Sequence, residues 1–319
     1  MNENRIIFIG TSHFAAEILK KMIAAGWVPF LIITAPDRPA GRGKKTKESP
    51  VSVVAKEKKI SLLKPDKIFN VADEIAKKEP KLLVLCAYGQ KVPQKILDIP
   101  EKGALNVHPS LLPEYRGPSP ISQAILDNRE ETGVTIMLMD EKIDRGPILS
   151  QKRHPIKEEI NFLQLSEELS KIGGELLIET ISRWEEGKIV PQKQKEIGAT
   201  YTELLKKEDG RIDWKESAGK IERKVRALNP WPGTFSYYLD KKSNQKKILK
   251  ILEAETQKQD RNGPFGPCGK VYMATNNNLA VQAGKDFLII KKLQVENKNP
   301  AKAEEFLNGN IDFIGIILE

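Results

Sequence analysis

Asn106 and His108 stand two residues apart, and Asp144 follows 38 positions after Asn106 in an acidic stretch, Asp140-Glu141-Lys142-Ile143-Asp144-Arg145-Gly146-Pro147. An amide and an imidazole two positions apart on a strand project from the same face. Together they can polarise a carbonyl and move a proton. A carboxylate brought beside the imidazole can fix its tautomer. The three groups suit acyl transfer without a covalent intermediate: the amide and a protonated imidazole hold a developing oxyanion, and the carboxylate takes the proton of an attacking amine. Other chemistries lack their parts. His108 has no second histidine or cysteine at ligand spacing, so no metal is expected. Ser110 and Ser119 lie in Pro-rich sequence without a nucleophile elbow. His13 and His154, the other two histidines, are expected to be structural.

The elements needed to position this trio are legible around it. Residues 103–107 form a short apolar run, read as a buried strand, that leads into the Pro- and Gly-rich stretch ending at 120. Residues 5–10, 28–34 and 82–86 are further buried strands, and Phe14, Ile18, Leu19, Met22 and Ile23 recur at helical spacing between the first two. Strand, helix, strand within about 30 residues marks a parallel βαβ unit. Helices follow at 51–59, 70–79, 119–127 and 161–186, and strands at 61–63, 134–139 and 148–156. The expectation is a doubly wound, mostly parallel α/β domain over 1–188, with its site outside the carboxyl ends of the strands, where His108 and the loop after Met139 are expected to meet. Gly10-Thr11-Ser12-His13 has one glycine where a dinucleotide fingerprint needs three, and Gly41-Arg42-Gly43-Lys44 lacks the spacing of a P-loop. Nicotinamide cofactors and nucleotide hydrolysis are therefore excluded.

Residues 189–207 are polar and aperiodic, as in a linker. Beyond them a helix (215–228) precedes strand-like pieces at 234–239, 247–254, 269–273, 278–282 and 286–294, a pattern expected of a small β-barrel of oligonucleotide-binding type over 208–319. Trp231, between two prolines, is expected to be a packed turn residue.

Composition bounds the rest. Of 319 residues, 39% are hydrophobic and 30% charged. No apolar run reaches the ~18 residues of a membrane span, no secretory signal is visible, and of two cysteines Cys86 lies inside an apolar strand. A cytoplasmic monomer is expected. A net charge of +9 permits a polyanionic partner without demanding one. The fifteen residues Pro36–Pro50, a long aperiodic loop, carry Arg38, Arg42, Lys44, Lys45 and Lys47 against Asp37 and Glu48. Such a loop beside the site can neutralise phosphates.

The stretch 106–120 (NVHPSLLPEYRGPSP), with VTIMLMDEKIDRGPIL at 134–149, resembles the 10-formyltetrahydrofolate-dependent formyltransferases. Residues 36–50, 87–93, 211–214 and 224–235 extend the likeness to the branch acting on initiator tRNA. The resemblance implies a catalytic Asn106, His108 and Asp144. It implies a folate site at Ser110, Leu111, Leu112 and Pro113, and 10-formyltetrahydrofolate as the formyl donor. It implies tRNA contacts by Arg42, with Lys44 and Lys45 beside it, and by the C-terminal domain. The acceptor it implies is the α-amino group of methionine on initiator tRNA. A relative formylating a small amine, either an amino sugar or a glycinamide ribonucleotide, and an inactive RNA-binding relative are the alternatives. Lys142 and Arg145 stand where smaller or neutral residues are common in that family, and Arg145 is expected to point to solvent or RNA.

Overall fold

The computed structural model describes residues 5–40, 45–241, 243–258, 266–274 and 278–319. The chain divides into two compact units, Met1–Ile121 with Glu130–Lys157 and Gln164–Glu203, and Ser122–Arg129 with Glu158–Leu163 and Leu204–Glu319.

In the first unit the chain runs β1 (Ile6–Gly10), α1 (His13–Ala24), β2 (Leu31–Ile33), β3 (Arg38–Ala40), β4 (Lys45–Lys47), α2 (Pro50–Glu57), β5 (Ser61–Leu63), α3 (Ala72–Lys77), β6 (Leu82–Cys86), α4 (Gln94–Leu97) and β7 (Ala104–His108). After α5 (Pro120–Leu126), most of which belongs to the second unit, come β8 (Glu131–Leu138), β9 (Ile148–Pro155) and α6 (Phe162–Glu185). Seven strands form one sheet in the order β5-β2-β1-β6-β7-β8-β9. The first five in that order are parallel, and β8 and β9 are antiparallel additions. Every residue of β1 and β6 is buried, as expected of strands covered on both faces. On one face Ile7, Ile9, Leu31, Ile33, Leu83 and Leu85 pack with Ile75 of α3 and Ile96 and Leu97 of α4. On the other, α6 brings Gly173 against Val107 of β7, Val134 of β8 and Ile18 of α1. Helix starts follow local chemistry: Ser12 and Ser49 accept from the backbone N–H three residues on, and Pro50 occupies the first turn of α2.

Two features differ from the expectation. The loop over 36–50 contains an antiparallel pairing, Arg38–Ala40 with Lys45–Lys47, which carries no apolar alternation to announce it. And β8 runs against β7, with Met139 N donating to Ala104 O at 2.8 Å. The loop after Met139 thus leaves at the opposite end of β7 from His108, and must double back along the sheet to reach it.

The second unit contains α7 (Ala218–Leu228), β10 (Thr234–Asp240), β11 (Gln245–Gln257), β12 (Val271–Met273), β13 (Leu279–Gln282), β14 (Phe287–Val295), β15 (Ala301–Lys302) and α8 (Ala303–Leu307). The strand order is β10-β11-β14-β13-β12, with β15 beside β14. Residues 315–319 close this sheet on itself. Val271 N donates to Ile316 O and Leu318 N to Gly269 O on one side, while Glu319 and Tyr237 exchange two backbone bonds of 2.8 and 3.0 Å on the other. The result is the small barrel expected, filled by Leu249, Ile251, Leu288, Ile290 and Leu293 and covered by Ile221 and Val225 of α7. Closure covers the outer edge of β10 at Tyr237 and of β12 at Val271. Trp231 is not packed: between cis peptides at Pro230 and Pro232 it is 62% exposed.

Candidate active site

Strand alternation sorts β7. Leu105 and Val107 are turned to the α6 side, and Ala104, Asn106 and His108 share the opposite face. Both polar side chains lie at the strand's carboxyl end, beside β6, where Leu85 pairs with Asn106. His108 is buried, and its Nε2 lies 2.9 Å from the carbonyl oxygen of Tyr115. A carbonyl only accepts, so Nε2 carries a proton. Nδ1 then faces Asp144 Oδ2 at 3.7 Å, and it acts as a base in the neutral ring and as a donor in the imidazolium. Asn106 Nδ2 donates to Asp144 Oδ1 over a long 3.4 Å. The strongest bond to this carboxylate comes from the backbone: Gly117 N donates to Oδ2 at 2.7 Å.

Two glycines make that arrangement possible. Gly117 has φ +110, and a Cβ there would stand 2.5 Å from Thr202 O. At Gly146 a Cβ would fall 1.7 Å from Leu138 O, which is how tightly the returning loop folds over the end of β8. Asp144 itself adopts φ +53, a left-handed conformation rare outside glycine, although Asp is among the residues that tolerate it best.

The stretch 110–113 is largely engaged with β8 and β9. Ser110 and Leu112 are buried; Ser110 Oγ donates to Glu114 O at 2.6 Å and Thr135 Oγ1 to Ser110 O at 2.7 Å. Leu112 N donates to Thr135 Oγ1, and Leu112 O accepts from Gln151 Nε2. Leu111 lies over Gly133, where a Cβ would meet its Cδ2 at 2.5 Å. Pro113 follows a cis peptide and is half-buried. Arg42 and Lys44 lie outside the described residues, and the backbone of Lys45 begins β4. Tyr88, after β6, has a buried hydroxyl without a partner among the described residues, and burial pushes its pKa up to about 12.

A second layer of residues escaped sequence reasoning. Arg116 is fully buried. Its Nε and Nη2 donate to Gln194 Oε1 at 3.1 and 2.9 Å, and its Nη1 to Glu196 Oε2 and to the Tyr201 hydroxyl at 3.1 and 2.8 Å. Gln194 Nε2 in turn donates to Asp144 O and Gly146 O, at 2.9 and 2.8 Å. The hydrogen bond from Arg116 is the main cause that holds Glu196 below the usual carboxylate range, and it likewise lowers Tyr201. Arg145 turns from the carboxylate to Tyr201, donating to its hydroxyl at 2.5 Å, so its contact is with this layer. Backbone bonds join the same segments: Arg116 N donates to Thr200 O at 2.9 Å and Thr202 N to Arg116 O at 2.7 Å. Residues 190–203, part of the polar stretch expected as a linker, thus line the first unit from Ile148–Gln192 to Ser119–Thr202. Their one signal in sequence was the clustering of Gln194, Glu196, Thr200 and Tyr201 in an otherwise featureless run.

An amide, an imidazole and a carboxylate meeting at a strand end can act together on a carbonyl group, and the comparisons narrow that chemistry. Residues 4–181 match the family model described as formyl transferase, and residues 204–310 match the formyl transferase C-terminal domain. The chain belongs to the formyl transferase family. It is 38% identical over 318 residues to a methionyl-tRNA formyltransferase of Caldanaerobacter subterraneus subsp. tengcongensis, covering 99% of this chain and 100% of that one. It is 40% identical over 307 residues to one of Geotalea uraniireducens, covering 96% and 95%. Among solved structures, HypX from Aquifex aeolicus in complex with tetrahydrofolic acid superposes with a TM-score of 0.66 at 18% identity, over 97% of this chain and 48% of that one. An N-formyltransferase from Helicobacter canadensis, in complex with folinic acid and dTDP-3-aminofucose, superposes at 0.62 and 18%, over 90% and 98%. At that identity the structures establish a shared fold.

Among the described residues no helix is long and apolar enough to cross a membrane, and no cluster of His, Cys, Asp and Glu could hold a metal ion.

Proposed function

We propose that this chain transfers the formyl group of 10-formyltetrahydrofolate to the α-amino group of methionine on initiator tRNA. The observation that carries the reading is likeness over essentially the whole chain, 36–40% identity, to relatives all named methionyl-tRNA formyltransferase. The local geometry supplies a mechanism. Asn106 Nδ2, held by one long hydrogen bond, is free to shorten onto the formyl oxygen as the amine adds to the formyl carbon and the carbonyl π bond opens. His108, with Nε2–H spent on Tyr115, has Nδ1 for the same oxygen when it is an imidazolium. Each such donor is typically worth ~10²–10³ in rate. Asp144, balanced by Gly117 N–H and next to His108, takes the amine proton as the new C–N bond forms. When the bond from the formyl carbon to the donor nitrogen breaks, that nitrogen receives a proton from His108, which Asp144 then restores. The chain ends the cycle in its starting protonation state.

Ser110, Leu111, Leu112 and Pro113 contribute to this reading as the wall of the folate site, through Leu111 and the backbone, since Ser110 Oγ and the Leu112 side chain are already buried within the protein. Arg42, Lys44 and Lys45 are the proposed acceptor-RNA contacts, and the barrel of the second unit adds a diffuse basic surface. Many of its cations are paired with carboxylates, Lys291 with Glu255 and Lys292 with Glu253 among them. Exposed pairs are weak enough to be exchanged for phosphates. We further propose a monomer acting in the cytoplasm.

The test is direct. The protein is incubated with 10-formyltetrahydrofolate carrying a labelled formyl group and with methionylated initiator tRNA, methionylated elongator tRNA, or an amino-sugar nucleotide. Label recovered on the initiator tRNA is expected. Label on the sugar amine with none on tRNA overturns the reading.

A further inference from the structure

Gln194 occupies the one place in the second layer where both ends of an amide are needed. It is 7% exposed. Its two N–H groups meet two carbonyls of the returning loop, Asp144 O and Gly146 O, and its oxygen meets two N–H groups of the buried Arg116. No other side chain of this size offers two donors to carbonyls and an acceptor to a guanidinium. A glutamate would keep the Arg116 contact but turn an oxygen against two carbonyl oxygens. A methionine would fill the space and satisfy neither side. The loop it holds is the one with backbone to lose: Asp144 sits at φ +53, and Gly146 is folded hard against Leu138 O. Released from Gln194, Asp144 can relax to negative φ, which swings its carboxylate off Gly117 N and away from Asn106 and His108.

We propose that Gln194 is a positioning residue of the formyl-transfer site, acting through Asp144: it fixes the left-handed backbone that aims the Asp144 carboxylate. The inference rests on the role given to Asp144 above. Gln194 touches neither substrate, and its effect belongs to turnover and not to binding.

The experiment compares Gln194→Glu, Gln194→Met and Asp144→Asn singly, and combines the last two. Rates are taken per folded protein, well below each variant's melting temperature. Both Gln194 variants should lose about 10²-fold in kcat, with KM for either substrate within about threefold of the parent. Because Gln194 works through Asp144, adding Gln194→Met to Asp144→Asn should cost less than about threefold more. The Gly117 amide should lose hydrogen-exchange protection in Gln194→Met while Val107 keeps its own. A purely structural Gln194 would lower the melting temperature and leave kcat per folded molecule unchanged, and a Gln194 acting independently of Asp144 would multiply its own loss onto that of Asp144→Asn. Any of those kinetic results overturns the inference. If Gln194→Met does not fold, Gln194→Asn, whose amide is one methylene short, carries the same comparison. Full activity in Asp144→Asn would sink the site reading itself. Loss there with unchanged kcat in the Gln194 variants sinks only this inference.

Discussion

Replacing Asp144 by Asn tests the proposed chemistry with the least disturbance of shape. The carboxylate is nearly buried, its side chain 12% exposed and that of His108 5% exposed. Across 3.7 Å, and with an effective dielectric constant of about 20, a carboxylate stabilises an imidazolium by about 4 kcal/mol. The amide provides almost none of this. It also cannot serve both flanking donors: with its oxygen toward Gly117 N, its NH2 faces Asn106 Nδ2, donor against donor. One charge-assisted bond becomes neutral, a stability loss of about 1 kcal/mol. The larger effect falls on the transition state, where the positive ring and the proton acceptor are both needed, and about 4 kcal/mol corresponds to a drop in kcat of about 10³. The assay is single-turnover formylation of initiator methionyl-tRNA at saturating donor, alongside thermal denaturation. A cooperative fold with kcat within about tenfold of the parent would refute the reasoning, because even half the Coulomb term exceeds that factor.

Arg42→Ala should lower kcat/KM for tRNA by at least about tenfold and flatten its salt dependence, while folate binding by fluorescence titration stays unchanged; equal loss for both substrates would remove the loop from the acceptor site. Gly146→Ala, whose Cβ would meet Leu138 O at 1.7 Å, should destabilise by about 3 kcal/mol or more, read as a shifted urea midpoint. Burial pushes the Cys86 thiol far up, whereas Cys268 is only partly buried, so brief alkylation of the native protein at pH 7.5 should label Cys268 alone by peptide mass spectrometry. Glu196, held below its ordinary value of 4.5 by Arg116, contributes stability that is present above that value and lost as the pH falls through its lowered one. Glu196→Gln should therefore lower stability modestly at pH 7, where that contribution is present, and the two denaturation curves should converge as the pH falls well below about 4.5.

What could be read in advance followed from residue type and period. β1 and β6 are unbroken apolar runs, and the structure places them at the centre of the sheet. Asn106 and His108 share a strand face by their spacing, and the structure brings Asp144 beside both. Strand direction is different. β8 has the same β-branched composition whichever way it runs, so its antiparallel pairing, and the folding back of the 140–147 loop, left no trace in the pattern. β3 and β4 are held by backbone pairing alone, which Arg-Pro-Ala and Lys-Thr-Lys do not advertise. Gln194 sits in a polar stretch that reads as solvated, because the pairing of its amide with Arg116 and with two backbone carbonyls leaves no periodic pattern in the sequence. Trp231 went the other way, an aromatic left exposed where packing was expected.

The barrel's manner of closure sets an order of events during synthesis. Everything that builds the Asn106–His108–Asp144 cluster, Thr202 included, lies within the first 203 residues and can assemble as soon as that length is free. The second unit has no such freedom. Ser236 Oγ and Tyr237 wait for Glu319, 83 positions after Ser236, before the ring of strands is joined. Until then β10 and β12 are open edges, so a nascent chain carries an assembled cluster in its first unit and an unfinished barrel in its second, and that interval is when the molecule is most exposed to strand-mediated association.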